Sequence, residues 1–128
     1  MTIRIVRLGT ERASEEGLRI GTVRRPPRGV PKSEYASQGW YDVWLPNIAP
    51  SAELMTLGRA AETEKDWTAF VKKYRRELSD PEKSRVLDLL VALSQQTNFS
   101  VGCYCENEKR CHRSVLRELL AERGAQLN

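Results

Sequence analysis

Apolar and basic residues alternate along residues 3–8 (IRIVRL), the pattern of a strand with one buried face. Residues 18–23, 41–45 and 99–104 are three further short stretches of strand character. Between the first two, residues 9–17 are fewer than the dozen or more that a parallel crossover usually needs. An antiparallel pair is therefore admitted, and a mixed sheet is expected. From residue 51 the apolar period becomes helical. Ser51 follows Pro50 as an N-cap, and Leu54, Leu57 and Ala61 then fall three and four apart. Thr63 or Asp66 opens a second helix with Trp67, Phe70, Val71, Tyr74 and Leu78 on one face. Asp80 and Pro81 suit the N-cap and first position of a third, which carries Val86, Leu87, Leu89, Leu90 and Leu93 as a wide apolar stripe. A last helix runs from about residue 111 to 123, turns Val115, Leu116, Leu119 and Leu120 inward, and stops at Gly124.

This order predicts an α/β fold. A small mixed, mostly parallel sheet of about four to five strands carries packed helices in Rossmann-like layers. Residues 1–128 suffice for a single domain. With 40% hydrophobic and 30% charged residues the chain reads as globular rather than disordered. No apolar run approaches the roughly 20 residues that span a bilayer. Arginines inside the first apolar stretch do not suit a signal peptide. The expectation is a cytoplasmic chain with no membrane partner. Three cysteines, all between positions 103 and 111, are unlike a secreted disulfide scaffold and suggest reduced thiols sharing one site. The net charge of +4 is mild, so where the charges lie matters more than their sum.

The one chemically distinctive cluster is residues 103–113 (CYCENEKRCHR), at the turn from the last strand into the last helix. Crevices of α/β folds open at the carboxyl ends of strands. Several readings of the cluster compete. If Cys111, His112 and Arg113 open the helix, its free backbone N–H groups, with Arg110 and Arg113, favour an anion or a thiolate. Cys105 or Cys111 would then be a nucleophile and His112 a general acid/base, or the pocket would hold a phosphate. The six-residue step from Cys111 to Arg117 matches a cysteine phosphatase loop, but the segment between has no glycine and looks helical, unlike an open phosphate cradle. Zinc is a second reading, with Cys103, Cys105, Cys111 and His112 as ligands of suitable type, although the spacing is tighter than usual and adjacent Cys111 and His112 must point together. A reversible Cys105–Cys111 disulfide is a third. In the plainest reading Cys103 is a buried small apolar residue and the rest a capped turn. The preferred expectation is an anion, phosphate-type or nucleotide pocket with thiol chemistry.

Arg24, Arg25, Arg28 and Lys32 form a basic loop stiffened by Pro26, Pro27 and Pro31 and bent at Gly29. Guanidinium groups on a rigid loop suit phosphate or carboxylate. If the loop shares a sheet edge with residues 105–113, then Arg24, Arg28 and Arg113 wall one pocket. Otherwise the loop is solvated, or with Lys72, Lys73, Arg75 and Arg76 it serves a nucleic-acid-binding module. Those last four fit better as the wet face of an amphipathic helix, with Trp67 in the core. Period-two alternation puts Trp40, Asp42 and Trp44 on one face, so Asp42 lies near the pocket or pairs with an arginine.

Several segments together resemble a known family. Residues 17–20 followed by Arg24 to Lys32 are similar to the RLWPRG(V/L)SK signature of the domain-of-unknown-function 488 (YeaO-like) family. Trp44, Leu45 and residues 49–54 resemble its WLKELAPS.EL segment, and Trp67, Phe70, Tyr74, Arg75 and Leu78 its W..F..RYR.EL segment. Residues 105–116 resemble the cysteine-bearing branch, which ends in a Cys-His-Arg-Ser element. Other members carry Asn-His there, so His112 is the shared position. This chain has Val23 and Pro26 where the family commonly has Asp and Trp. The resemblance implies a small α/β domain and no established activity.

Overall fold

The computed structural model describes residues 1–128. Its elements are β1 (Ile3–Arg7), β2 (Leu18–Gly21), β3 (Val43–Trp44), α1 (Ala52–Ala60), α2 (Glu64–Leu78), α3 (Pro81–Ser94), β4 (Phe99–Cys103) and α4 (His112–Glu122). Short 3-10 turns lie at Lys32–Glu34, Pro46–Ile48 and Glu108–Arg110. The predicted caps of α1 and α2 form, whereas Asp80 stands at the N-cap of α3 without a side-chain hydrogen bond. Ser51 Oγ accepts from Leu54 N, and Thr63 and Asp66 close a capping box. Pro81 is the first residue of α3, and Gly124, at φ +102°, ends α4.

The strand order is β1-β4-β2-β3, and every pair is parallel. The α/β class, four strands and packed helices are as the sequence predicts. The antiparallel β1–β2 pair does not form, because β4, the last strand in the chain, inserts between them. Residues 8–17 therefore cross two strand spacings, about 10 Å, through turns and irregular chain with no helix. Gly17 makes the entry to β2 feasible. Its φ is +77°, and a Cβ there would sit 2.1 Å from the Asn98 carbonyl oxygen.

The sheet face left without a crossover helix is covered by loops held on a buried ion pair. Arg19 and Glu16 are 0% and 2% exposed. Arg19 donates to both Glu16 oxygens at 2.7 and 2.9 Å and to the carbonyls of Thr10 and Gly39. Ser100 Oγ donates to Glu16 at 2.6 Å. Burial opposes the Glu16 charge, but the bonds from Arg19 and Ser100 outweigh it and hold its pKa down to about 2. Asp42 takes the pairing alternative, accepting from Arg12 and from the Arg19 backbone N–H.

On the opposite face, α1 to α4 close the main core around Ile3, Ile20, Phe70, Tyr74, Leu87, Val101 and Leu116. Central β4 is buried along its whole length, with Phe99, Val101 and Cys103 alternating with the small residues Ser100 and Gly102. The α3 stripe is narrower than expected, since Leu87 and Leu90 are buried but Leu89 and Leu93 are exposed. A second, smaller apolar cluster forms where the strands end: Leu8, Val23, Tyr41, Cys103 and Cys111. No helix is long and apolar enough to cross a membrane.

Candidate functional site

β4 delivers Cys103 to the carboxyl edge of the sheet. The chain turns outward through Cys105, closes a 3-10 turn at Glu108–Arg110, and returns to enter α4 with Cys111 as N-cap. Asn107 accepts from Lys109 N at 3.1 Å, and Arg117 holds Glu108 at 2.6 Å, so the excursion is pinned to α4. The return brings the sulfurs together. Cys103 Sγ lies 3.8 Å from Cys105 Sγ, and Cys111 Sγ lies 3.9 Å from His112 Nδ1. The ligating atoms of Cys103, Cys111 and His112 all fall within 4.8 Å of one another. These three residues are buried, while Cys105 is exposed.

His112 Nε2 is 2.7 Å from the Thr22 carbonyl oxygen. A carbonyl only accepts, so Nε2 carries the proton and Nδ1 presents its lone pair to the sulfurs. Burial pushes the His112 pKa down to about 4, so the ring is neutral at pH 7. Of the acid/base role expected of it, this tautomer suits the base half. Arg113 is buried as well. Its Nε donates to Cys111 Sγ at 3.4 Å and its terminal nitrogen to the Cys105 carbonyl at 2.5 Å. Its Nε and one of its two terminal nitrogens are therefore committed to the protein.

The three thiols share their charge unequally. Hydrogen bonds from Cys103 and Cys111 draw the Cys105 pKa far below the ordinary thiol range, and Arg113 adds to this. The same contacts with Cys105 and Cys111, together with burial, push Cys103 up. For Cys111 the bond from Cys103 favours the charge, but the contact with Cys105 and burial outweigh it, and the pKa rises. One negative charge is thus held on the exposed sulfur, supported by two buried thiols.

Two adjoining clefts meet on this cluster. One, of about 230 Å³, is lined by Arg24, Arg25, Thr56, Arg59, Cys103, Tyr104 and His112 among others. The other, of about 170 Å³, adds Trp67, Phe70, Cys105, Arg110 and Cys111. They share Met55, Arg59, Cys103, Tyr104 and His112. One lobe is cationic and the other aromatic. A larger hollow of about 460 Å³ beyond the basic loop contains no sulfur or imidazole, and Arg12 already pairs with its Asp42.

Cys105, Cys111, His112 and Arg113 are thus brought together as the sequence suggests. Arg24 reaches the cationic lobe, with its guanidinium donating to the carbonyls of Pro50 and Ala49 at the start of α1. Arg28 stays exposed on the loop and lines neither lobe. Arg110 pairs with Glu64 and lies 5.7 Å over the Trp67 ring. Sequence reasoning missed Arg59, Tyr104 and the Thr22 carbonyl. Met55 and Arg59 are four apart, so a shared helix face was legible, but not the direction in which it points. A backbone carbonyl leaves no mark in side-chain pattern.

Neither the curated proteins nor the solved structures contain a match to this chain. Among protein families, the one described as the active DUF488-N3 subclade (DUF488-N3a) matches over residues 3–124. With nearly its whole length covered, the chain belongs to the DUF488 family, in that subclade.

Proposed function

We propose that the two-lobed cleft binds a small anionic molecule of nucleotide type and that the sulfur–imidazole cluster at its floor acts on it. One observation supports this above the others: Arg24, Arg25 and Arg59 line the same hollow as Cys103 and His112, so cationic wall and chemical floor are shared. A phosphate or carboxylate fits the arginine lobe, and a planar group fits beside Trp67 and Phe70 in the adjoining one. Small-molecule sites usually span about 300–1,000 Å³, which the two lobes approach only as one site. Arg25 and Arg59 meet the anion, while Arg24 and Arg113 hold the loop and the cluster in place. Cys105 carries the thiolate that meets the ligand, Cys111 donates to it, and His112 Nδ1 accepts a proton.

The nucleic-acid alternative draws less support, because Arg75 on α2 is engaged by Glu118 and Glu122 of α4. Calorimetric titration at low salt with pyrophosphate and with a nucleoside monophosphate tests the proposal. Saturable binding is expected, weakened about tenfold or more by Arg59→Ala, as for the loss of one charge-assisted contact, and unchanged by Arg28→Ala. If neither probe binds, or Arg59→Ala binds as the parent does, the cleft is not the anion site.

A further inference from the structure

We infer that Cys103, Cys105, Cys111 and His112 Nδ1 form a tetrahedral site for a zinc-type cation. The inference goes beyond the anion-binding reading and holds whether or not the cleft takes an anion. It starts from the donors. The ligand atoms of Cys103, Cys111 and His112 lie within 4.8 Å of one another and Cys105 Sγ stands 3.8 Å from Cys103 Sγ, and this soft set selects zinc or cobalt over magnesium or calcium.

The distances fit. With zinc–sulfur bonds of about 2.3 Å, the edge of a tetrahedron between two sulfurs is about 3.8 Å, and Cys103 and Cys105 stand 3.8 Å apart. With a zinc–nitrogen bond of about 2.0–2.1 Å, the sulfur–nitrogen edge is about 3.6 Å. Cys111 and His112 stand 3.9 Å apart, and a small inward movement closes the difference.

The local backbone explains how so tight a spacing serves. Cys103 ends the strand and the chain bends at Tyr104, which leaves Cys105 Sγ 3.8 Å from Cys103 Sγ. Cys111 is an extended N-cap with φ −125° and ψ 151°, whereas His112 is the first helical residue. The change of conformation between them swings two adjacent side chains onto one point, which neither a continuous helix nor a continuous strand allows.

The surroundings suit a metal too. A histidine ligand normally donates its other ring nitrogen to a carbonyl or carboxylate, which fixes the tautomer and aims the lone pair. His112 Nε2 does this with the Thr22 carbonyl at 2.7 Å. Three thiolates around a divalent cation leave one net negative charge, and Arg113, buried with Nε on Cys111 Sγ, offsets it. Three ligands are interior and the fourth, Cys105, is exposed, so the mouth of the site faces solvent. In the metal-loaded protein the exposed thiolate and His112 Nδ1 are both bound, so the thiol and base roles proposed above belong to the metal-free chain.

The test uses the full chain, purified without a histidine tag under reducing conditions. Elemental analysis after expression with added zinc is expected to find one zinc per chain. Titration of the chelator-treated protein with cobalt is expected to give the intense visible bands of a tetrahedral ion and a sulfur-to-cobalt charge-transfer band. Cys105→Ser, at the exposed position, keeps the fold, weakens cobalt binding at least tenfold and lowers the charge-transfer intensity by about one third, since one of three thiolates is lost. Zinc well below one per chain together with no charge-transfer band overturns the inference. So does a Cys105→Ser spectrum identical to that of the parent. Anion binding, read by calorimetry on the metal-free chain, is scored separately, so either reading can fail alone.

Discussion

The unequal charge among the three thiols is open to direct measurement. If Cys105 carries the cluster's negative charge, its alkylation by iodoacetamide is independent of pH between about 5 and 9, because the thiolate is present throughout. An ordinary thiol of pKa about 8.5 is only about 0.3% ionised at pH 6 and loses a factor of about ten in rate per pH unit below its pKa. At pH 6 the thiolate advantage of Cys105 is therefore about 300-fold. The lower basicity of a depressed thiol takes back part of it, since nucleophilicity falls with pKa at a slope of about 0.4–0.5. Cys103 and Cys111, 3% and 2% exposed, remain unlabelled until the fold opens. The assay is mass-spectrometric mapping of each cysteine on chelator-treated protein, over short exposures from pH 5 to pH 9. In Cys103→Ala, which removes the thiol that gives the Cys105 charge its largest support, a pH slope is expected to appear in the Cys105 rate. A parent Cys105 rate that climbs tenfold per pH unit between pH 6 and 8 refutes the reasoning, as does equal labelling of all three thiols in the folded state.

Two further predictions concern the scaffold. Glu16 has its pKa lowered from 4.5 to about 2 in the folded protein, a drop worth about 3 kcal/mol of stability. That stability is fully present above the unfolded value and disappears as pH falls through the folded one. Glu16→Gln is therefore expected to flatten the urea-midpoint profile between about pH 5 and pH 2, and to cost about 3–5 kcal/mol at pH 7 by stranding Arg19; an unchanged acid profile would show that the pair is not coupled to folding. Gly17→Ala combines a φ of +77° with a Cβ 2.1 Å from the Asn98 carbonyl oxygen, and a loss of more than about 2 kcal/mol in chemical denaturation is expected.

How far the structure was legible in advance depended on what kind of signal each part leaves. The helices were readable because capping is local: Ser51, Thr63 with Asp66, Pro81 and Gly124 each act on backbone groups within a few residues. The site segment was readable because its chemistry lies within residues 103–113. Strand order was not, because the insertion of β4 between β1 and β2 is a contact across the chain, carried by the Ile3–Phe99 and Leu18–Phe99 registers. The buried Arg19 was hidden for a related reason. In sequence it is an ordinary charged residue of a weak strand, and only the meeting of Glu16, Ser100 and two loop carbonyls allows it to be buried. Arg59 and Arg28 show the limit most plainly. The sequence puts Arg28 in the pocket and gives no sign of Arg59, yet the turn of α1 carries Arg59 into the cleft while the basic loop leaves Arg28 in solvent.

The position of β4 also anchors the inner half of the candidate site. Because β4 pairs with β2, Cys103 at the end of one strand lies beside Thr22 just past the end of the other, and Thr22 N and Oγ1 both donate to the Gly102 carbonyl at 3.0 Å. The Thr22 carbonyl in turn fixes His112, which belongs to α4 and packs edge-on against Tyr74 of α2. Sulfur and imidazole are thus anchored on two central strands and two helices, the parts of the molecule with the most buried contacts and the highest cost of local opening. Only Cys105 and the arginines of the cleft wall project from loops or helix surfaces. Such an arrangement anchors the inner donors and leaves the outer thiol and cations at the surface, the division that the proposed metal coordination and the proposed anion capture would each require of the same few residues.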